Sequence, residues 1–190
     1  MTLLGATVDG GQILAAADGR GIRTDAYSDA SSSHSVSKLR YPGTLPLVWG
    51  YRGVEEVGER VAYAVEEKDP ATFPEFAVAL AQSLRRENML ADASNREHTE
   101  VLLAGFHHEY PIVSHITWHG VASGHPKICF VGTGWVSAYT AWDALEAATP
   151  AMSAEQRLTI AMRATIARVE PLGEPLNLWR ITQTTVTSVF

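Results

Sequence analysis

The chain lacks several patterns that mark particular classes of protein. Its 190 residues include one cysteine, Cys129, which excludes a disulfide within the chain and a cysteine-based zinc cluster. It has no dense run of lysine or arginine, and its net charge is −6, so nucleic acid is not expected as a main partner. No apolar stretch is long enough to cross a membrane, and no signal-peptide pattern opens the chain. We therefore expect a cytoplasmic protein without a membrane partner, in which Cys129 is a small buried hydrophobe.

The order of the predicted elements indicates the fold class. With 46% hydrophobic and 19% charged residues, the chain fits one globular domain over residues 1–190. The periodicity of the apolar residues predicts strands, two helices, strands, two helices and a final strand. Grouped strands and grouped helices differ from the alternation of a parallel sheet. The sequence therefore predicts an α+β fold, a four-layer αββα sandwich of two mostly antiparallel sheets with helix pairs on the outer faces.

Turn and capping residues predict where individual elements begin. Asp9-Gly10 between two apolar runs predicts a hairpin, because both turn positions need positive φ. Helical periodicity begins after Gly53, and Pro74 suits the first turn of a second helix. Ser153 followed by Gln156 has the capping-box pattern of a fourth helix.

Other segments are less regular. The serine-rich residues 31–35 are expected to form a mobile surface loop, and residues 36–39 alternate like a short strand. Residues 85–100 are charged and have no clear assignment. Residues 176–189 are expected to close the chain as a strand.

The most informative feature is a threonine directly after the initiator methionine. Met1 precedes a small residue, which makes it a good substrate for the aminopeptidase that trims initiators. Thr2 would then carry a hydroxyl and a free α-amino group, so that nucleophile and base come from one residue. An α-amino group titrates at about 7.7–8.0, close to working pH.

Several segments in order along most of the chain carry a family resemblance. They are Thr2, residues 13–20, residues 37–39, residues 49–53, residues 99–106, residues 131–134, the helix from Ser153 and the final strand to Thr182. With these segments the chain resembles the proteasome β-subunit superfamily of N-terminal nucleophile hydrolases, most closely the short bacterial homologues that begin Met-Thr.

The resemblance implies a set of site residues. Thr2 matches the nucleophile, Asp18 its acidic partner and Lys38 the lysine beside the threonine. Gly50 matches the glycine whose backbone N–H faces the oxyanion, which we expect at a tight turn. Thr133, between two glycines, replaces the serine of a Gly-Ser-Gly motif that helps to orient the nucleophile. A lysine ammonium beside Thr2 favours the free amine, and Asp18 would keep that lysine charged and oriented.

The resemblance also implies the function. It predicts threonine-dependent hydrolysis of peptide or amide bonds by a self-assembling, proteasome-like peptidase. The substrate would be a peptide or an unfolded protein, the chain would form a homo-oligomer, and no metal or organic cofactor is needed. An ATPase partner is compatible with this function, but no residue indicates one.

Alternative interpretations stay open at this point. Glu170 stands one position from the family's acid after the last helix, and the serine found near it has no counterpart, which favours a catalytically silent assembly or binding subunit. An N-terminal nucleophile amidase acting on a small amide would use the same residues. Asp18 and Lys38 can also form a purely structural ion pair. A metal site built from His107, His108, His115 and His119 is disfavoured, because no cysteine or dense carboxylate cluster completes it.

Overall fold

The structure is a computed structural model that describes residues 1–24, 31–35, 37–91, 98–170 and 172–189, with the backbone alone for residues 21–24 and 31–35. The strands of the first half are β1 (Leu3–Asp9), β2 (Gln12–Asp18), β3 (Arg20–Thr24), β4 (Ser31–Ser35), β5 (Leu39–Arg40) and β6 (Leu47–Arg52). The next elements are α1 (Glu55–Glu66), α2 (Phe73–Leu90), β7 (Glu100–His107), β8 (Tyr110–Ile116), β9 (Ala122–Gly124) and β10 (Ile128–Gly132). The last are α3 (Trp135–Ala148), α4 (Ala154–Ile166), β11 (Leu176–Ile181) and β12 (Val186–Ser188).

Two five-stranded sheets form the centre of the fold. The first sheet has the order β10-β1-β2-β11-β12, and the second has the order β5-β6-β7-β8-β9. Every neighbouring pair in them is antiparallel. Strands β3 and β4 form a separate antiparallel pair. The N-terminal strand β1 therefore lies inside the first sheet, between β10 and β2.

Three apolar clusters show how the layers are stacked. The inner cluster lies between the sheets and includes Leu4 and Ala6 of the first sheet with Val48 and Leu102 of the second. A second cluster packs the outer face of the second sheet against α1 and α2. A third packs the outer face of the first sheet, including Leu3, against α3 and α4. Since strand side chains alternate between faces, each sheet is apolar on both. This arrangement confirms the predicted αββα sandwich.

Helix starts agree with the capping signals in the sequence. The side chain of Thr72 accepts a hydrogen bond from the backbone N–H of Glu75 and caps α2, which has Pro74 in its first turn. Ser153 and Gln156 form the predicted capping box of α4. In the described part of the chain, no helix is long and apolar enough to cross a membrane.

Several sequence predictions need correction. The first hairpin turns at Gly10 and Gly11, one residue later than expected, because Asp9 still pairs with Gln12. The serine-rich residues 31–35 are not a loop, because their backbone pairs with β3 as a strand. Residue 36 of the expected strand at 36–39 lies outside the described residues, and of residues 37–39 only Leu39 is in a strand, β5.

The C-terminal half differs from the predictions in three segments. The final segment is two antiparallel strands, β11 and β12, rather than one. The short strand β9 was not predicted, since its three residues are all exposed and carry no apolar alternation. The unassigned stretch 85–100 begins as the continuation of α2 to Leu90, and residues 92–97 lie outside the described residues.

Candidate active site

Pairing between β1 and β10 holds the backbone of Thr2. Leu3 stands opposite Gly132 in this antiparallel ladder. Directly beyond it, the backbone N–H of Thr133 donates a hydrogen bond of 2.8 Å to the carbonyl oxygen of Thr2. Because Leu4 and Ala6 belong to the cluster between the sheets, alternation along the strand places the Thr2 side chain on the same inner face.

Asp18 ends β2 beside the start of β1. Its side chain has no solvent exposure. One carboxylate oxygen, Oδ1, accepts a hydrogen bond of 2.8 Å from the backbone N–H of Leu3. The ammonium of Lys38 lies 3.0 Å from Oδ1 and 2.8 Å from Oδ2. A buried carboxylate needs such partners, and Asp18 finds them in a cation and in the residue that follows Thr2.

Lys38 contacts the residue that precedes Thr2. Its Nζ atom donates a hydrogen bond of 2.8 Å to the carbonyl oxygen of Met1. The Lys38 side chain is 10% exposed. Burial lowers the pKa of Lys38 below its usual value, and the neighbouring carboxylate of Asp18 opposes that shift. Lys38 and Asp18 together therefore hold both neighbours of Thr2 along the chain.

The Thr2 hydroxyl itself is not part of this network while Met1 is present. Within the described residues, it makes no hydrogen bond to Lys38 or to Asp18. Met1 is 64% exposed, so its amide bond to Thr2 is held by Lys38 at the surface of the domain. The structure thus brings Thr2, Lys38 and Asp18 to one place, with the Met1 carbonyl oxygen and Oδ2 of Asp18 both 2.8 Å from the lysine nitrogen.

Gly50 is found inside a strand rather than at the expected tight turn. It lies in β6, opposite Leu39 of β5 and Leu102 of β7. A Cβ atom at Gly50 would lie 2.5 Å from the carbonyl oxygen of Lys38, so only glycine fits beside this backbone. The turn from β6 into α1 is made by Gly53, whose φ is +113°. The role of Gly50 toward an oxyanion stays a prediction.

The segment Gly132-Thr133-Gly134 lies against Thr2, and the role of Thr133 in orienting a nucleophile stays a prediction. Gly132 has φ of +108°, and a Cβ atom there would lie 2.0 Å from the carbonyl oxygen of Thr2. Gly134 has φ of +80° and is the N-cap residue of α3. Backbone that only glycine adopts readily thus carries Thr133 to its hydrogen bond with Thr2.

Glu170 and the histidines are not brought into this group. Glu170 is exposed, and in the described part of the chain no hydrogen bond or ion pair joins it to Lys38. His107 and His108 lie at the β7–β8 turn with ring centroids 4.4 Å apart, while His115 is near the other end of β8. The ring of His119 contacts that of Trp118 at an angle of 31° between the planes. Among the described residues, no three His, Cys, Asp or Glu side chains are placed to hold a metal ion.

A charged cluster that the sequence does not predict lies on the inner face of the second sheet. Arg52 of β6, Glu100 of β7 and His115 of β8 meet there, with Glu100 at the centre. All three stand at inner-face positions, since Val48, Leu102 and Val113 on the same three strands belong to the cluster between the sheets. The available signal was the presence of charged residues at positions where alternation calls for apolar ones.

Comparison with known proteins identifies the fold. No protein-family model and no curated protein sequence matches the chain. Among solved structures it is similar to Anbu, an ancestral beta-subunit, from Yersinia bercovieri, with a TM-score of 0.75 and 15% identity over 100% of this chain and 87% of that one. It is also similar to a Gly-1 mutant of Anbu from Hyphomicrobium sp. strain MC1, with a TM-score of 0.76 and 17% identity over 100% of this chain and 87% of that one.

A eukaryotic HslV from Trypanosoma brucei has a TM-score of 0.67 and 18% identity over 95% of this chain and 98% of that one. The TM-scores of 0.67–0.76 establish a common fold, while identities of 15–18% do not establish a common activity. Two antiparallel five-stranded sheets between helix pairs, with β1 inside the first sheet, agree with these structures. The chain therefore shares the fold of the Anbu and HslV structures.

Proposed function

We propose that the chain is a threonine-dependent peptidase in which Thr2, freed by removal of Met1, is the nucleophile. The observation that supports this most is a set of hydrogen bonds around Thr2. The ion pair of Lys38 and Asp18 binds the residues on both sides of it, Met1 and Leu3. A buried ion pair contributes little net stability, because desolvation cancels much of its Coulomb energy. Its position around a single threonine at the start of a central strand is better explained by chemistry at that threonine.

The proposed reaction has two steps. Either the α-amino group of Thr2 or a water molecule takes the hydroxyl proton as Oγ attacks the carbonyl carbon of the scissile amide. The amide C–N bond breaks, the leaving amine takes up a proton, and an acyl ester remains on Oγ. Water then hydrolyses the ester, which releases the acid and restores the hydroxyl. Backbone N–H groups near Thr2 are the candidates for stabilising the oxyanion, and Gly50 is the one that the resemblance assigns.

Removal of Met1 would free one of the N–H donors of Lys38. The ammonium has three donors, and its acceptors are the two oxygens of Asp18 and the Met1 carbonyl. Without Met1, one donor is free for the Thr2 hydroxyl or for the bound substrate. Asp18 keeps the lysine charged, and a positive charge at this point favours the neutral, basic form of the α-amine.

Self-assembly is part of the proposal. Anbu is described as a beta-subunit, and the present chain exposes apolar side chains on all four helices. These residues are Tyr63, Val78, Met89, Leu90, Trp135, Val136 and Ile160. Since the helices form both outer layers, they are the surfaces that contacts between copies would use.

The single buried cysteine fits the reducing cytoplasm.

Peptide turnover in three proteins tests the nucleophile. The wild type, Thr2→Ala and Thr2→Ser are assayed with a panel of fluorogenic peptides and of small amides. We expect hydrolysis of peptides by the wild type, partial activity of Thr2→Ser, which keeps a hydroxyl, and a loss of at least about 10³-fold in Thr2→Ala. Equal activity of the wild type and Thr2→Ala would refute the proposal. Turnover of small amides alone would identify the amidase alternative.

A silent assembly or binding subunit is the second candidate. In the described part of the chain, the Thr2 hydroxyl makes no hydrogen bond and Glu170 is exposed, and both observations favour it. It predicts no hydrolysis by any of the three proteins and an unchanged oligomeric mass for Thr2→Ala. The turnover assay separates it from the peptidase, and light scattering of the wild type and the variant checks that the loss of Thr2 leaves the assembly intact.

A further inference from the structure

Three polar side chains stand at the end of the inter-sheet space where Thr2 lies. Arg52, Glu100 and His115 occupy adjacent strands of the second sheet, and their inner-face neighbours Val48, Leu102 and Val113 are apolar and buried. The fold needs no charge at such positions. Charged groups that meet where the fold calls for apolar side chains are a candidate for ligand recognition.

The contacts within the cluster fix the orientation of the arginine. Nε and Nη2 of Arg52 lie 3.1 Å and 2.8 Å from Oε2 of Glu100. Nε2 of His115 lies 3.2 Å from the same oxygen. The hydrogen bond with His115 and the contact with Arg52 hold the pKa of Glu100 at about 2, although burial opposes this. Glu100 is therefore a carboxylate at neutral pH and anchors the guanidinium on one edge.

Arg52 is also next to the nucleophile. A Cβ atom built on Gly132 would lie 3.5 Å from the Cβ of Arg52 and 2.0 Å from the carbonyl oxygen of Thr2. Arg52 and Thr2 thus approach the same point of β10 from opposite sheets. The stem of Arg52 therefore lies beside the backbone segment that holds Thr2.

The guanidinium of Arg52 keeps N–H donors that do not contact Glu100. Glu100 occupies Nε and one donor position of Nη2, and within the described residues Nη1 of Arg52 has no hydrogen-bond partner. The exposed fractions of the side chains are 30% for Arg52, 25% for His115 and 16% for Glu100. The most accessible group of the cluster is therefore the cation, with unused N–H donors in the planar geometry that matches a carboxylate.

We propose that Arg52 determines specificity at the Thr2 site by binding a carboxylate of the substrate close to the scissile amide, while Glu100 and His115 are positioning residues that hold the guanidinium. This proposal rests on the proposed function, since it assigns a substrate class to the same site. The carboxylate can come from an acidic side chain or from the C-terminus of a short peptide, and the two sources share the same chemistry.

Binding to an inactive variant separates this inference from the peptidase proposal. Labelled peptides with Glu or Gln before the scissile bond, each with a free or an amidated C-terminus, are titrated into Thr2→Ala by fluorescence anisotropy. We expect the carboxylate-bearing peptides to bind about tenfold more tightly than the Gln peptide with an amidated C-terminus, since hydrogen bonds between charged groups are the strong ones. The pair that shows the difference identifies the source of the carboxylate.

Variants of Arg52 then assign the effect. In Thr2→Ala/Arg52→Gln we expect the preference to fall to within twofold of unity, with affinity for the neutral peptide unchanged. Arg52→Lys keeps the charge without the planar fork and should retain part of the preference. Arg60→Gln is the matched control, because Arg60 is an exposed arginine that pairs with Glu56 on α1. This variant should leave the affinities for all four peptides unchanged.

Each outcome is decisive for one of the two proposals. An equal affinity of Thr2→Ala for all four peptides overturns the role of Arg52, and this result does not depend on whether the Arg52 variants fold. A preference that survives in folded Arg52→Gln also overturns it. If the preference depends on Arg52 while the wild type hydrolyses no peptide, the specificity site stands and the peptidase proposal fails.

Discussion

The ammonium nitrogen of Lys38 lies 2.8 Å from Oδ2 of Asp18, a carboxylate that has no solvent exposure. This pair joins the end of β2 to the residue before β5 and, through its remaining hydrogen bonds, to Met1 and Leu3. It is the point at which both sheets and the N-terminus meet. We therefore expect both the stability of this region and the proposed chemistry at Thr2 to depend on it.

Replacement of Asp18 with asparagine should destabilise the protein in a pH-dependent way. Asp18→Asn leaves the Lys38 ammonium buried without a counter-charge, which costs about 3–5 kcal/mol when one partner of such a pair is removed. Burial already lowers the pKa of Lys38. The cost is therefore present at pH values below that pKa and declines as pH rises through it, because the neutral amine needs no counter-charge. Urea unfolding at several pH values between 7 and 10 measures this.

A double variant and an exposed pair are the controls for that prediction. Asp18→Asn/Lys38→Met removes the charge as well as its partner and should recover part of the lost stability. Glu56→Gln disrupts the exposed Arg60–Glu56 pair on α1 and should cost less than about 0.5 kcal/mol. A cost of Asp18→Asn as small as that of Glu56→Gln would show that the buried pair is not required.

Gly132→Ala should displace Thr2. The new Cβ atom would lie 2.0 Å from the Thr2 carbonyl oxygen, and φ of +108° disfavours any side chain. We expect thermal unfolding to show a loss of stability of about 1–3 kcal/mol. We also expect the Thr2-dependent hydrolysis of peptides to be lost. Gly124→Ala is the matched control, because its φ is not positive and nothing lies within 4 Å of the new Cβ atom. Similar behaviour of the two variants would contradict the close approach at Gly132.

Glu100 should contribute to acid stability. His115 and Arg52 hold its pKa at about 2, against a usual value near 4.5. Its contribution is then fully present above about pH 4.5 and is lost as pH falls toward 2, because the unfolded chain binds the proton first. In Glu100→Gln the fall in stability over this range should be shallower than in the wild type, as followed by denaturant unfolding. Parallel curves for the two proteins would exclude this role.

Cys129 should be chemically inert in the folded protein. The residue is 1% exposed, and burial raises the pKa of its thiol to about 12. Because the thiolate is the reactive form, alkylation at pH 8 should be negligible in native protein and complete after unfolding in urea. Mass spectrometry of iodoacetamide-treated samples gives the fraction modified. Rapid labelling of the native protein would show that β10 opens readily.

The layer architecture could be predicted from the sequence because its signals are local. The spacing of Val57, Val61 and Val65 predicts α1, and the capping box at Ser153 predicts the start of α4, since both depend on neighbouring residues. Strand β4 could not be predicted, because its serines are paired by the backbone of β3 and carry no apolar alternation.

Residues of the candidate site could be predicted only where they belong to a motif of the family that the chain resembles. Asp18 and Lys38 were named through the family resemblance, and the structure joins them by hydrogen bonds that span 20 residues of sequence. Gly50 was wrongly expected at a turn, because a glycine near the end of an apolar run does not reveal which of two glycines leaves the strand. The cluster of Arg52, Glu100 and His115 depends on pairing between three strands, and no local pattern contains that information.

The central claim is that Thr2 becomes the N-terminal residue and acts as the nucleophile. Intact mass spectrometry of the purified protein, before and after incubation with a peptidyl β-lactone that acylates active hydroxyl groups, tests both parts in one sample. We predict a mass that lacks one methionine residue, a single acyl adduct mapped to Thr2, and no adduct in Thr2→Ala. Retention of Met1 throughout the sample, or the same adduct in Thr2→Ala, would contradict the account.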